Sequence, residues 1–135
     1  MKKLVIHTDG VSRGNPGQAA IGAIIRDERG GLVFRISQSI GLATNNQAEY
    51  KAIITALEKV SLLGADEVEL NSDSELVVKQ VKEQYRVRKN TLRPLYQRVK
   101  QLQRSLKGFN IKHIPRSQNI EADKIANAAL KKNRT

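Results

Sequence analysis

The chain has no cysteine and no tryptophan, and three tyrosines and two phenylalanines are its whole aromatic complement. Without cysteine there are no disulfides, no thiolate nucleophile and no cysteine-based zinc site. Only two histidines are present, which suits chemistry that requires no side-chain nucleophile. Long apolar runs are missing too, and no stretch reaches the roughly 20 residues that span a bilayer. The opening Met1-Lys2-Lys3-Leu4-Val5-Ile6 imitates the start of a signal peptide, but the apolar run stops at His7, Thr8 and Asp9. A cytoplasmic location with no membrane partner is therefore expected. Nothing divides the chain: there is no internal repeat, no low-complexity tract and no Pro/Gly/Ser linker. Its 135 residues suit one domain, 1–135, with a single core built mainly of Ile, Val, Leu and Ala.

Acidic residues are scarce, 13 against 24 lysines and arginines, giving a net charge of +11. Such a surplus concentrates polyanions at the surface and favours nucleic acid or acidic membranes as partners. Charge of this kind says nothing about fold, and by itself it also suits a merely soluble basic protein.

The hydrophobic pattern changes period along the chain. Leu4 to Val11 alternates and reads as a strand. Ser12 to Gly17 is turn chemistry. The apolar runs Ala19–Ile25 and Leu32–Ile40, joined by Asp27-Glu28-Arg29-Gly30-Gly31, predict a hairpin and hence an antiparallel meander. After Thr44, apolar residues at 48, 52, 53, 56, 57 and 60 recur with helical spacing, and Gly64 is placed to stop that helix. Glu67–Asn71 predicts a short strand, and Ser72-Asp73-Ser74 offers a cap to a helix from about Glu75. A further helix is predicted from Leu92 to Leu106 with Thr91 as its cap, then a strand over Phe109–Ile114 and a last helix from about Ile120. The basic end, Lys131-Lys132-Asn133-Arg134-Thr135, reads as a solvated helix terminus. This order predicts an α/β fold, a mixed five-stranded sheet packed by helices.

Against this frame four acids stand out. Val5-Ile6-His7-Thr8-Asp9-Gly10 and Val68-Glu69-Leu70-Asn71-Ser72-Asp73-Ser74 both end a strand with a hydroxyl residue, an aspartate and a small residue. If those strands are neighbours, both aspartates emerge at one sheet edge, the usual ligand edge of α/β folds. Singly, Asp9 reads as a turn residue and Asp73 as a cap. Glu49 lies near the start of the long helix, where a first-turn glutamate also suits the helix dipole. Asp123 borders the apolar stripe of the last helix, and its competitor Glu121 faces solvent. Four converging carboxylates repel one another, and hard divalent cations reverse that cost without any need for a side-chain nucleophile.

The segments Thr8-Asp9-Gly10, Asn45-Asn46-Gln47-Ala48-Glu49, Ser72-Asp73-Ser74 and Glu121-Ala122-Asp123-Lys124-Ile125-Ala126-Asn127 resemble, in order and spacing, the four acidic motifs of type 1 ribonuclease H. The resemblance covers nearly the whole chain. It implies a ribonuclease H-like fold and metal-dependent endonucleolytic hydrolysis of the RNA strand of RNA–DNA hybrids, leaving 3′-hydroxyl and 5′-phosphate ends. It also implies two Mg²⁺ ions, with Mn²⁺ as an alternative, held by Asp9, Glu49, Asp73 and Asp123. Asp9 is then the bridging ligand, Asp123 belongs to the water-activating side, and Glu49 and Asp73 to the leaving-group side. Asn15, Asn46 and Gln47 match positions that reach hybrid bases and sugars, Thr44 resembles one that meets a DNA-strand phosphate, and Gly10 would let the backbone come close to the substrate. A monomer is the simplest assembly, and duplex RNA stays open as a second substrate.

Two departures from the family pattern matter. The long, basic, tryptophan-containing handle of many relatives is reduced here to Tyr85-Arg86-Val87-Arg88-Lys89-Asn90, which resembles the short branch found in archaea and some bacteria. Arg86, Arg88 and Lys89 are its candidates for gripping phosphates. The loop before Asp123 lacks the usual glycine-embedded histidine: His113 falls on the preceding strand, and Arg116 is the loop residue. A guanidinium can help a phosphate leave but cannot shuttle a proton near neutral pH. His7 reads simply as a strand residue. Two rivals remain open, a non-catalytic nucleic-acid-binding module on the same fold and a related metal nuclease acting on DNA.

Overall fold

The protein is described by a computed structural model that covers residues 2–132. Strand β1 (Lys3–Ser12) pairs antiparallel with β2 (Gly17–Asp27), which pairs antiparallel with β3 (Leu32–Ala43). The chain then enters helix α1 (Asn45–Leu62), returns as β4 (Glu67–Ser72), and continues through α2 (Glu75–Val81) and α3 (Arg93–Arg104). Strand β5 (Gly108–His113), a short 3₁₀ turn (Arg116–Gln118) and α4 (Ile120–Lys132) complete it. The sheet order is β3-β2-β1-β4-β5, with β4 parallel to both β1 and β5. This is the mixed sheet that the alternation of periods predicts, and the expected hairpin is formed. Of the basic end, Lys131 and Lys132 belong to α4, and residues 133–135 lie outside the described residues.

Helix α1 buries the stripe its spacing predicts, with Ala52, Ile53, Ala56, Leu57 and Val60 against Leu4, Ile6, Ile21 and Ile25 of the sheet and Ala48 against Ala19 and Ala43. Helix α4 covers the other face, where Ala129 and Leu130 meet Ala20. The two helices thus sandwich the centre of the sheet, and each brings an acid to its edge. No helix among the described residues is long and apolar enough to cross a membrane.

Two local expectations are corrected. Helix α3 is capped at Leu92 with no side-chain hydrogen bond, so Thr91 does not cap it. Pro94 sits in its first turn, where a missing N–H costs nothing, and that proline sets the start instead. Glu49 is not in the first turn of α1, which contains no acid. Because Thr44 caps the helix, Glu49 falls one turn further in, on the buried side, and its carboxylate serves the sheet edge and not the helix dipole.

Candidate metal centre and active site

The register of β1 and β4 sets the site. Thr8 is opposite Ser72 in the parallel pair, so Asp73, just past the end of β4, comes level with Asp9, which lies within β1 and not at the strand end that the sequence predicts. On the other side of β1, Asp9 is opposite Gly22 of β2. A Cβ on Gly22 would lie 2.4 Å from the carbonyl oxygen of Ala122. Only the absent side chain lets α4 pass this close, and the next residue along α4 is Asp123. Gly10 does the same for α1: a Cβ there would lie 2.3 Å from the Ala48 carbonyl carbon. With α1 seated directly on the strand, the Gly10 N–H donates to Glu49 Oε1.

The result is a cluster in which one carboxylate oxygen from each of Asp9, Glu49 and Asp73 lies within 4.8 Å of the others. Asp9 and Glu49 are buried, 5% and 8% exposed, and Asp73 is half-buried. Asp123 stands apart from this trio but touches it through a side-chain hydrogen bond with Asp9. Its Oδ1 also accepts from Asn127 Nδ2 at 3.1 Å, one turn along α4, which holds the carboxylate against its own helix. Glu121, the rival acid, faces solvent and pairs with Arg26 at 3.0 Å.

Electrostatics at the cluster are unfavourable without a cation. Burial, followed by the charge of Glu49, the hydrogen bond with Asp123 and the charge of Asp73, pushes the Asp9 carboxyl far above the usual range, to about 10. Burial likewise raises Glu49, to about 8, against the opposing pull of the Gly10 N–H and the nearby Arg116 guanidinium. Such a pocket either holds protons or takes up positive charge.

The remaining candidates divide into those near the cluster and those used elsewhere. Arg116 lies in the 3₁₀ turn, solvent-exposed and close enough for its charge to act on Glu49. His113 ends β5, opposite Ser72, and is exposed. Thr44 and Gln47 form a reciprocal capping box: Gln47 N–H donates to Thr44 Oγ1 at 3.1 Å, and Thr44 N–H to Gln47 Oε1 at 2.8 Å. Asn15 Oδ1 accepts from the Asn45 N–H at 3.1 Å, tying the β1–β2 loop to the start of α1. These side chains spend their acceptors on the scaffold and keep donors for a ligand. Asn46 lines a cavity of about 210 Å³ together with exposed Arg86, Arg88 and Lys89, so the shortened handle comes down beside the N-terminus of α1. His7 is half-buried on β1, and burial lowers its pKa.

One residue with contacts to the cluster had no separate signal in the sequence. Asn119 is 1% exposed, and its Nδ2 donates to Thr8 O at 2.8 Å and to Asp73 Oδ2 at 3.3 Å. A polar residue just ahead of a helix reads as a cap, and spacing cannot show that its amide crosses to β1.

Residues 7–129 match the family described as reverse transcriptase-like. A ribonuclease HI of Halobacterium salinarum is 44% identical over 122 residues, covering 90% of this chain and 61% of that protein. The chain thus spans less than two thirds of that relative's length, and about a third of a bifunctional protein of Mycobacterium tuberculosis that is 39% identical and 35% covered. Among solved structures, the ribonuclease H1 of H. salinarum superposes with a TM-score of 0.94 at 42% identity, covering 96% of this chain and 98% of that one. A ribonuclease H1 isolated from compost, solved with an RNA/DNA hybrid, superposes at 0.92 with 39% identity and coverage of 98% and 99%. The family match, the sequence identity and the superposition of the mixed five-stranded sheet agree on one group: the chain belongs to the type 1 ribonuclease H family.

Proposed function

We propose that this chain, as one domain over residues 1–135, is an endonuclease that hydrolyses the RNA strand of RNA–DNA hybrids and leaves 3′-hydroxyl and 5′-phosphate ends. The observation that carries this reading is the convergence of Asp9, Glu49 and Asp73 within 4.8 Å on a protein of net charge +11. An acidic pocket on a basic molecule suits a polyanion whose scissile phosphate is brought in together with cations. The compost ribonuclease H1, so similar in fold, was solved on a hybrid, which supports the same ligand here.

The donor set fits divalent ions. All donors are carboxylate oxygens, the preference of Mg²⁺ and Mn²⁺, and the burial that drives Asp9 and Glu49 toward protonation is a cost that cation charge removes. Two Mg²⁺ ions are proposed, which the carboxylates of Asp9, Glu49, Asp73 and Asp123 would hold, Asp123 serving the attacking water and Glu49 and Asp73 the leaving group. When bound, such ions supply Lewis-acid chemistry, lowering the pKa of an attacking water and stabilising the leaving 3′ oxygen.

The chain's own side chains hold and orient. The Gly10 N–H fixes Glu49, and Asn127 steadies Asp123. Arg116 serves the departing phosphate electrostatically through its guanidinium. Asn15, Thr44, Asn46 and Gln47 gather around the N-terminus of α1, where their amide and hydroxyl donors suit 2′-hydroxyls, base edges and one DNA-strand phosphate. Arg86, Arg88 and Lys89 extend that surface toward the phosphates of the hybrid. The working unit is proposed to be a monomer, and its location cytoplasmic.

The test is cleavage of hybrid, duplex RNA and duplex DNA with Mg²⁺, Mn²⁺ or chelator, by wild type and Asp9→Asn. Cleavage of hybrid that needs a divalent ion and disappears in a folded Asp9→Asn protein is the expected result. Binding of hybrid without cleavage would leave a non-catalytic module, and cleavage of duplex DNA alone a different nuclease.

A further inference from the structure

Asn119 occupies the position of an N-cap for α4, since its backbone carbonyl accepts from the Asp123 N–H at 3.2 Å. Its side chain does not do what a cap does. Oδ1, the atom that would accept from the first turn of the helix, is buried with no hydrogen-bond partner among the described residues. Instead the amide is turned so that Nδ2 reaches Thr8 O at 2.8 Å and Asp73 Oδ2 at 3.3 Å.

That orientation is locked. Flipping the amide would put Oδ1 against a carbonyl and a carboxylate, both acceptors, so the donors must face Thr8 and Asp73. An orphaned buried carbonyl and a forgone cap are both unfavourable, and such costs are retained where something else depends on them. The contacts show what depends on this one. Thr8 is the residue before Asp9, Asp73 belongs to the cluster, and Asn119 itself lies four residues before Asp123. One side chain therefore ties together the elements that carry three of the four acids.

We propose that Asn119 is a positioning residue that sets the spacing of Asp73 against Asp9 and Asp123, and so the cation affinity of the pocket; this rests on the metal-dependent reading above. Donating to Asp73 Oδ2 fixes the orientation of that carboxylate before a cation arrives.

Serine discriminates this from a structural role. A serine hydroxyl at this position would cap α4 well but is too short to reach Asp73, so Asn119→Ser restores the helix end and removes the tether. The measurements are Mn²⁺ binding by calorimetry and hybrid cleavage as a function of Mg²⁺, for wild type, Asn119→Ser and Asn119→Ala, with circular dichroism melts for fold. The expected result is a folded Asn119→Ser protein whose cation Kd is raised about 10- to 100-fold. Its kcat should fall at fixed Mg²⁺ and recover toward wild type at high Mg²⁺, while its KM for hybrid stays unchanged. Wild-type cation affinity in the folded variants would overturn the proposal. So would failure of both variants to fold, which would make Asn119 a residue of the scaffold alone. If wild type itself neither binds Mn²⁺ nor cuts hybrid, the metal-dependent reading is what fails.

Discussion

Replacing Asp9 by asparagine is expected to act in opposite directions on activity and on the stability of the metal-free protein. Asp9 is 5% exposed and faces Glu49, Asp73 and Asp123, so without cations the folded state keeps a proton that the unfolded chain gives up near pH 4. A carboxyl raised in this way contributes stability that is fully present below its unfolded pKa and is lost as pH rises toward the folded value of about 10. One proton held by the Asp9–Glu49 pair corresponds to about 1.4 kcal/mol per pH unit, or about 3 kcal/mol between pH 6 and pH 8. For a chain of 135 residues that is a fall of about 10 °C in Tm. Asparagine mimics the protonated acid, keeps a donor for Glu49, and cannot ionise. Its melting temperature should therefore fall much less over the same range, leaving Asp9→Asn the more stable protein at pH 8 while it is inactive on hybrid. The assay is thermal unfolding of both proteins in chelator at pH 6, 7 and 8, repeated with Mg²⁺, which should raise the wild-type Tm most at pH 8. Parallel melting temperatures for the two proteins across this range would refute the reasoning, since the carboxylates would then be ionising without conflict.

Other expectations follow from close contacts and charges. Gly10→Ala sets a methyl 2.3 Å from the Ala48 backbone, with no flexible side chain to yield. It should cost about 3 kcal/mol or more in urea unfolding, and, by moving Glu49, about 100-fold in kcat; a variant as stable as wild type would mean α1 is not seated there. Arg116→Ala is expected to lower turnover about 100-fold with little change in KM, whereas His113→Ala leaves it nearly unchanged, and the reverse ranking would reassign the loop chemistry. Reversing the charges of Arg86, Arg88 and Lys89 together should raise KM for hybrid and flatten its log–log salt dependence by up to about 2.7. An unchanged slope would remove these residues from the interface.

Periodicity carries information that belongs to the chain alone. Alternation over Leu4–Val11, helical spacing after Thr44 and turn chemistry at Asp27–Gly31 each depend on neighbours in sequence, so the strands, helices and hairpin could be read directly. The echo between Thr8-Asp9-Gly10 and Ser72-Asp73-Ser74 was legible for the same reason, as was the matching set of acidic motifs. What the sequence alone could not decide was distance. Asp9 meets Asp73 because β1 and β4 pair in parallel with Thr8 opposite Ser72, and Asp123 arrives beside Asp9 because Gly22 lets α4 down onto the sheet. The turned amide of Asn119 was hidden too, since Thr8 and Asp73 reach it only through tertiary packing, whereas the start of α3 and the placement of Glu49 beyond the first turn follow from the local groups Pro94 and Thr44. Residue type and spacing thus identified the acids, while register and the close approach of two helices decided that they share one pocket.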